Sequence, residues 1–140
     1  MTNLIPYLNF PGTTEQAMEF YHSIFGGDYG RSSFAEFGAL PADHEHADAT
    51  MHAQLVSDAI RIMAADHFPG LGPDVTPGNN ISLALVGPDD EELTGYFNRL
   101  SEGGTVVAPL ETQIWGDKYG ALVDKFGIHW MVNVEHSKDS

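Results

Sequence analysis

Histidine is the residue of this 140-residue sequence with the widest range of possible chemistry. His44 and His46 flank Glu45 in a polar stretch, and His52 and Asp66 follow within strand-like runs. An imidazole transfers protons near neutral pH or binds a metal ion. A His-x-His pair in such a loop defines no coordination geometry, so we interpret His44 and His46 as solvent-exposed. His52 is instead a candidate general acid or base, with Asp66 as an assisting carboxylate.

The composition excludes several other kinds of chemistry. The sequence has no cysteine, which excludes disulfides, thiolate zinc sites and a cysteine nucleophile. Its 6 Lys and Arg against 20 Asp and Glu give a formal net charge of −14, and a polyanion repels phosphate backbones and anionic lipids. We therefore expect no nucleic-acid partner and no membrane partner. The N-terminal residues lack a signal-peptide pattern, so we expect a cytoplasmic protein.

Hydrophobic patterns predict a first module over residues 1–68. Residues 3–10 form a β-rich run, and Thr13 and Gln16 then have the spacing of a capping box. An amphipathic helix follows, with strands near 30–38, 50–57 and 59–65. The predicted buried stripe of the helix is Ala17, Phe20, Tyr21, Ile24 and Phe25, and Gly26-Gly27 ends it.

The same pattern recurs over residues 79–136, after a Pro/Gly-rich linker at about 69–78. A strand over 80–86 precedes an acidic helix start at Asp89, and an offset of 77 aligns Gly26-Gly27 with Gly103-Gly104. We infer an internal duplication, and we predict an α+β protein with a single domain over 1–140 made of two βαβββ modules. The second helix buries Leu93, Tyr96, Phe97 and Leu100, and strands follow near 105–110, 119–124 and 128–135.

A duplicated βαβββ unit resembles the vicinal oxygen chelate superfamily, which includes glyoxalase I, bleomycin-resistance proteins and extradiol dioxygenases. The sequence is most similar to the PhnB-like branch, often labelled 3-demethylubiquinone-9 3-methyltransferase. The resemblance implies that the modules form a cupped mixed sheet and that the protein is a homodimer. We find no glycine-rich strand–turn–helix that would hold a methyl donor. The matching motifs are residues 5–10 (IPYLNF), 17–26, 51–53 and the run Trp115-Gly116-Asp117-Lys118-Tyr119-Gly120 with Asp124-Lys125-Phe126-Gly127 and Trp130.

Metal-using members of the superfamily hold a divalent ion with His, Glu or Gln. The resemblance places the ligand positions at Pro6, Asn80, Met131 and either Ile62 or Ala64. Proline, isoleucine and alanine side chains have no donor atom, an amide is a poor replacement for imidazole, and a thioether suits Cu(I) better than Zn, Ni, Fe or Mn. We therefore predict no metal ligand and no cofactor.

Strand alternation sorts side chains between a helix-covered core and an open face. We assign Met51, Ala53 and Leu55 of one strand, and Trp130 of the last strand, to the core. Asp124 should order the turn before Gly127. The same parity places Leu8, Phe10, Ile62 and Asp66 on the open face, and His136 lies in a tail that we expect to fray. The side chains predicted to line a ligand site are His52, Gln54, Asp66, Asn80, Trp115, Tyr119, His129 and Met131.

This mixture of apolar, amide and imidazole groups is typical of a small-molecule site. Our first hypothesis is a PhnB-like protein that binds a small organic molecule in a metal-free concave pocket. The second is an enzyme that uses His52 as its acid or base. The third is a glyoxalase- or dioxygenase-type metalloenzyme with a rearranged site built from His52, Asp66 or His129. The sequence leaves open whether the chain is an enzyme.

Overall fold

A computed structural model describes residues 1–71 and 73–136. The chain forms two compact units, Met1–Thr76 (unit 1) and Pro77–Ser140 (unit 2). The boundary lies within the segment 69–78, which is rich in proline and glycine. The single domain and the shared cup expected from the sequence stay predictions. In the part of the chain that is described, no helix is both long and apolar enough to cross a membrane.

Unit 1 is a mixed four-stranded sheet with one helix on one face. Its strands have the order β1-β4-β3-β2; β1 is parallel to β4 and the other pairs are antiparallel. The helix buries Met18 and Thr14, whereas Phe20 and Phe25 of the predicted stripe are only half-buried. The elements are β1 (Tyr7–Phe10), α1 (Thr14–Phe25), β2 (Asp28–Ser33), β3 (Thr50–Val56) and β4 (Arg61–Asp66).

Unit 2 repeats this topology, with the strand order β5-β8-β7-β6 and β5 parallel to β8. Its helix buries Leu93, Phe97 and Leu100, and the sheet contributes Trp130 and Val132 to the core. The α+β class with two βαβββ modules is therefore confirmed. The elements are β5 (Leu83–Gly87), α2 (Asp90–Leu100), β6 (Thr105–Thr112), β7 (Lys118–Val123) and β8 (His129–Val134).

A glycine pair follows each of the two predicted helices, and the second glycine of each pair is needed for the same structural reason. A Cβ atom on Gly27 would lie under 3.0 Å from the carbonyl oxygen of Val56, and one on Gly104 would meet that of Val123 equally closely. Gly27 also has φ +89°, which L side chains rarely adopt. Each unit thus packs the segment after its helix directly against a strand end, which explains why the glycines recur.

Asp124 organises the turn between β7 and β8. Its carboxylate is 3% exposed; Oδ1 accepts hydrogen bonds from the backbone N–H groups of Phe126 (2.8 Å) and Ile128 (3.0 Å). Its Oδ2 accepts one from Trp130 Nε1 (2.9 Å). The predictions that Asp124 orders the turn before Gly127 and that Trp130 belongs to the core are confirmed. This part of the family motif is structural.

Candidate functional site

The face of the unit 1 sheet opposite α1, the open face of unit 1, carries six side chains of interest. Strand register places Tyr7 beside Met63 and Asn9 beside Ala65, and Gln54 lies on the other side of Met63. His52 points to the same face, two residues before Gln54. Ala65 is only 7% exposed, so it forms a small apolar floor between polar neighbours. The six side chains are Tyr7, Asn9, His52, Gln54, Met63 and Ala65.

Tyr7 and His52 form the pair at the centre of this face. Tyr7 Oη lies 3.1 Å from His52 Nδ1, and the two ring centroids are 5.9 Å apart. Partial burial raises the pKa of the Tyr7 phenol above its ordinary value, so the hydroxyl stays protonated at neutral pH. A hydroxyl both donates and accepts, so the direction of this bond depends on the His52 tautomer. When the hydroxyl donates to Nδ1, the ring proton of His52 lies on Nε2, the nitrogen that Tyr7 does not contact.

A second pair lies at the end of β1. His67 Nε2 is 2.7 Å from Asn9 Oδ1, and the His67 backbone N–H donates to the Phe10 carbonyl (2.8 Å). His67 Nδ1 is buried and has no hydrogen-bond partner among the residues that the structure describes. The next residue, Phe68, stacks on His46 with ring centroids 3.8 Å apart. Imidazole and amide side chains thus occur at several positions between His52 and His67, which directly follows β4.

Asp66 does not belong to the open face, so its predicted place in the ligand site is wrong. The carboxylate is 4% exposed; Oδ1 accepts from Thr14 N–H (2.9 Å) and Oδ2 accepts from Thr50 N–H (2.9 Å). Ala64 pairs with Ala53 in the sheet, so the even-numbered residues of β4 continue the helix-covered rows. For the same reason Leu8, Phe10 and Ile62 lie on the helix side, against the parity prediction.

Two further local predictions about unit 1 are corrected by long-range contacts. The capping box does not form: Thr13 makes no side-chain capping bond, and Asp66 takes the N–H of Thr14 instead. Met51, assigned to the core, is 37% exposed. A register shift lies at this point, because Ser32 pairs with His52 and Ser33 with Thr50. Met51 is therefore left out of the pairing and turns outward.

The corresponding open face of unit 2 holds three of the predicted ligand residues. Tyr119 pairs with Asn133, Met131 pairs with Ala121, and His129 begins β8 with the same parity as Met131. All three are half-buried. Asn80 is exposed and lies before β5, which begins at Leu83 rather than at residue 80 as predicted. Trp115 lies in the turn between β6 and β7 and is 56% exposed, so Asn80 and Trp115 lie outside this sheet face.

The turn that carries Trp115 is fastened to the end of β8 by Asp117. Asp117 Oδ2 accepts from Asn133 Nδ2 (3.0 Å), and Oδ1 accepts from the backbone N–H (3.0 Å) and Nδ1 (2.6 Å) of His136. The Asn133 amide and then the two His136 donors hold the pKa of Asp117 well below its ordinary value. His136 is held in place, contrary to the expectation of a frayed tail, and its ring leaves no room for a side chain at Gly116.

The positions that the resemblance assigns to metal ligands do not form a donor set. Ile62 and Ala64 are buried beneath α1, Asn80 is outside the sheet, and Pro6 has no donor atom. His52 and Asp66 lie on opposite faces of one sheet, so they share neither a metal ion nor a proton. Among residues 1–71 and 73–136, no group of three or more His, Cys, Asp or Glu is placed to hold a metal ion.

Comparison with known proteins identifies the family. The family model for 3-demethylubiquinone-9 3-methyltransferase matches residues 2–133. The chain belongs to this family. The solved structure of a Pseudomonas aeruginosa protein is 33% identical, with a TM-score of 0.81 over 98% of this chain and 100% of that one. The putative 3-demethylubiquinone-9 3-methyltransferase, PhnB protein, of Bacillus cereus is 24% identical, with a TM-score of 0.73 over 96% and 100%.

Other relatives agree with this placement. An uncharacterised Mycobacterium bovis protein is 32% identical over 121 residues, which cover 81% of this chain and 71% of that protein; the chain spans 64% of the matching Mycobacterium tuberculosis proteins. A member of the glyoxalase/bleomycin resistance protein/dioxygenase superfamily from Sphaerobacter thermophilus shares the fold, with 18% identity and a TM-score of 0.56 over 96% and 99%. The predicted PhnB-like membership and fold are confirmed.

Two groups on the open face of unit 1, Tyr7 and Asn9, are not among the predicted ligand residues. Tyr7 belongs to the matching motif at residues 5–10, and so does Asn9. The period-two alternation that places Leu8 and Phe10 under the helix also places Tyr7 and Asn9 on the opposite face. The alternation in the sequence is therefore correct, but the predicted parity of β1 and β4 is wrong by one residue.

Proposed function

We propose that this chain binds a small organic molecule on the open face of unit 1, at His52 and its partner Tyr7. The observation that carries the proposal is the Tyr7–His52 hydrogen bond on a sheet face that α1 does not cover. A hydrogen bond between two side chains 45 positions apart in sequence fixes both rings before any ligand arrives. Such preorganisation lowers the entropic cost of binding.

The surroundings of the pair support the same proposal. Asn9 and Gln54 supply amides, and Met63 and Ala65 supply apolar surface. A few polar groups on a largely uncharged, partly apolar surface are typical of small-molecule sites. The proposal treats the face as a binding surface without a metal ion, because residues 1–71 and 73–136 contain no group of three or more His, Cys, Asp or Glu placed to hold one.

A second candidate function is an enzyme in which His52 acts as a general acid or base. His52 lies beside Tyr7 on an open sheet face, where an imidazole can exchange a proton with a bound substrate. Asp66 has no part in this candidate, because it lies on the other face of the sheet. If His52→Gln abolishes turnover of a compound but still binds it, the result would favour an enzyme over a binding protein.

A thermal-shift screen of small aromatic and carbonyl compounds tests binding. A ligand that binds the folded protein raises its melting temperature by mass action. We expect His52→Ala and Tyr7→Phe to weaken a hit by about tenfold, which corresponds to about 1.4 kcal/mol. His44→Ala is the matched control, because His44 is exposed in a loop. Equal weakening by the control and by His52→Ala would contradict the proposal.

The family resemblance also supports a homodimer as part of the proposal, and the lack of cysteine favours a reducing cytoplasm. Light scattering of the purified chain tests the oligomeric state and should give twice the chain mass. The formal charge of −14 favours an interface with its carboxylates at the rim. A monomer mass at micromolar concentration would contradict the dimer and would leave the binding proposal for unit 1 unchanged.

A further inference from the structure

We infer that the ligand of the open face of unit 1 presents acceptor oxygens, a carboxylate or a carbonyl, to Asn9 Nδ2 and His52 Nε2. This inference rests on the proposed function and adds the chemical class of the ligand. It follows from the direction of the Asn9–His67 hydrogen bond, from the position of Tyr7 against His52 Nδ1 and from the charges on this face.

The Asn9–His67 hydrogen bond fixes which end of the amide is available. Asn9 Oδ1 lies 2.7 Å from His67 Nε2, so His67 carries its proton on Nε2 and donates. The other nitrogen of His67 is buried without a partner in the described part of the chain. A bare acceptor is tolerated there better than an unpaired N–H, which supports the same tautomer. The oxygen of Asn9 is therefore occupied, and its two N–H donors remain for a ligand.

The Tyr7–His52 hydrogen bond occupies one nitrogen of the imidazole. We assign to His52 the tautomer in which the Tyr7 hydroxyl donates to Nδ1, which leaves a protonated Nε2 for a ligand. Asn9 and His52 lie on either side of Ala65. Asn9 pairs with Ala65 in β1. His52 precedes Ala53, which pairs with Ala64 in the antiparallel strand, so His52 is next to Ala65 on the other side. The two side chains thus flank one small residue on the same face of the sheet.

The charges on this face agree with a ligand that accepts hydrogen bonds. The strand register places Asp28 and Arg61 on either side of Val56. Their charges are opposite, so together they add no net charge to this face. The side chains of Tyr7, Asn9, Gln54 and Met63 near Ala65 are uncharged at neutral pH, in a chain of formal charge −14. A carboxylate near Asn9 and His52 would repel an acceptor oxygen, and the described strands of unit 1 place none there.

Benzoate and benzamidine provide the sharpest probes, because they are planar and nearly isosteric but have opposite hydrogen-bond polarity. We would titrate each into isotopically labelled full-length protein and follow the side-chain NMR signals of Asn9 and His52. We expect benzoate to bind this face at least about tenfold more tightly than benzamidine. The net charge alone predicts the reverse order, so the result separates local donors from long-range attraction.

Asn9→Asp replaces the donor nitrogen by an acceptor and should abolish the preference for benzoate. Asn98→Asp adds the same charge on an exposed site of α2 and should keep it. His52→Phe, which keeps a ring without nitrogens, is a second test if Asn9→Asp fails to fold. Benzamidine binding as tightly as benzoate, or no benzoate-dependent change at about 10 mM, would overturn the inference. The proposed function fails separately, if screening hits leave the signals of Tyr7 and His52 unchanged.

Discussion

The two units share a framework but place their buried carboxylates differently. In unit 1, Asp66 ends β4 and ties Thr14 of α1 to Thr50 of β3. The equivalent position in β8 of unit 2 is Val134. Asp66 pairs with Phe10 of β1, and Val134 pairs with Gly87 of β5, which is the residue that corresponds to Phe10. The buried carboxylate of unit 2 is Asp124, in a hairpin turn. Duplication has kept the order of the elements, whereas the polar anchors differ between the copies.

The helix starts show the same contrast. The N-terminus of a helix has unpaired N–H groups and a partial positive charge, so a carboxylate is favourable there. In α2 the carboxylate is local: Asp89 accepts from Glu92 N–H at 3.1 Å. In α1 it comes from Asp66, 52 residues away in the sequence. One physical requirement is thus met by a local residue in one unit and by tertiary structure in the other.

The open faces differ in a way that favours unit 1 as the binding site. Met63 and Met131 occupy equivalent positions, so His52 corresponds to Tyr119 and Tyr7 corresponds to Ala84. Unit 1 therefore has a hydrogen-bonded pair of rings where unit 2 has a tyrosine and an alanine. The proposed function depends on this difference.

Removing the buried carboxylates should have the largest effect on stability. Asp66→Ala and Asp124→Ala each leave buried N–H donors unpaired, and we expect each to lower the free energy of unfolding by about 3–5 kcal/mol. Urea unfolding measures this loss. Asp66→Asn keeps one acceptor oxygen and should lose about half as much. A loss below about 1 kcal/mol for Asp66→Ala would show that the two bonds do not anchor unit 1.

The repeated glycines should be equally intolerant of a side chain. Gly27→Ala and Gly104→Ala place a Cβ against a carbonyl oxygen, and we expect each to cost about 2–4 kcal/mol. Gly95→Ala is the matched control, because a Cβ there meets nothing within 4 Å. Since Gly95 is inside α2, the control should gain about 0.5–1 kcal/mol. Thermal or urea unfolding compares the three variants, and tolerance at Gly27 or Gly104 would contradict the shared packing.

The two helix starts should respond differently to loss of the residue before the helix. Asp89→Ala removes the capping carboxylate of α2 and should cost about 1 kcal/mol. Thr13→Ala should leave the free energy of unfolding nearly unchanged, because the Thr13 side chain makes no capping bond. Urea unfolding of both variants measures the contrast. Equal losses would mean that α1 is also capped locally.

Asp117 should give unit 2 a modest stability that depends on pH. Its pKa in the folded chain is held below the ordinary value by Asn133 and His136. A carboxyl with a lowered pKa stabilises the fold above its unfolded pKa of about 3.9, and this contribution is lost as the pH falls towards the folded value. Asp117→Asn should therefore lower the melting temperature at pH 7, and its difference from the wild type should shrink steadily as the pH falls below about 4. A difference that does not depend on pH would contradict this account.

The sequence was sufficient for those features that depend on local pattern. Helix stripes, glycine stops and the Asp124 turn are each encoded within a few residues, and the duplication reinforces them. The features it did not reveal depend on register. The predicted parity of β1 and β4 places Asp66 on the open face and Tyr7 and Asn9 under the helix, because a shift of one residue in a strand exchanges its two faces. The bulge that expels Met51 and the cap supplied by Asp66 are tertiary features without a local signature.

The most direct test of the binding proposal is a crystal structure of the chain with the strongest hit from the thermal-shift screen. We predict electron density for the ligand on the open face of unit 1, with a ligand atom within hydrogen-bond distance of His52 Nε2 and with the Tyr7–His52 bond intact. Density for the ligand elsewhere, with the surface around His52 and Tyr7 carrying no ligand, would contradict the account.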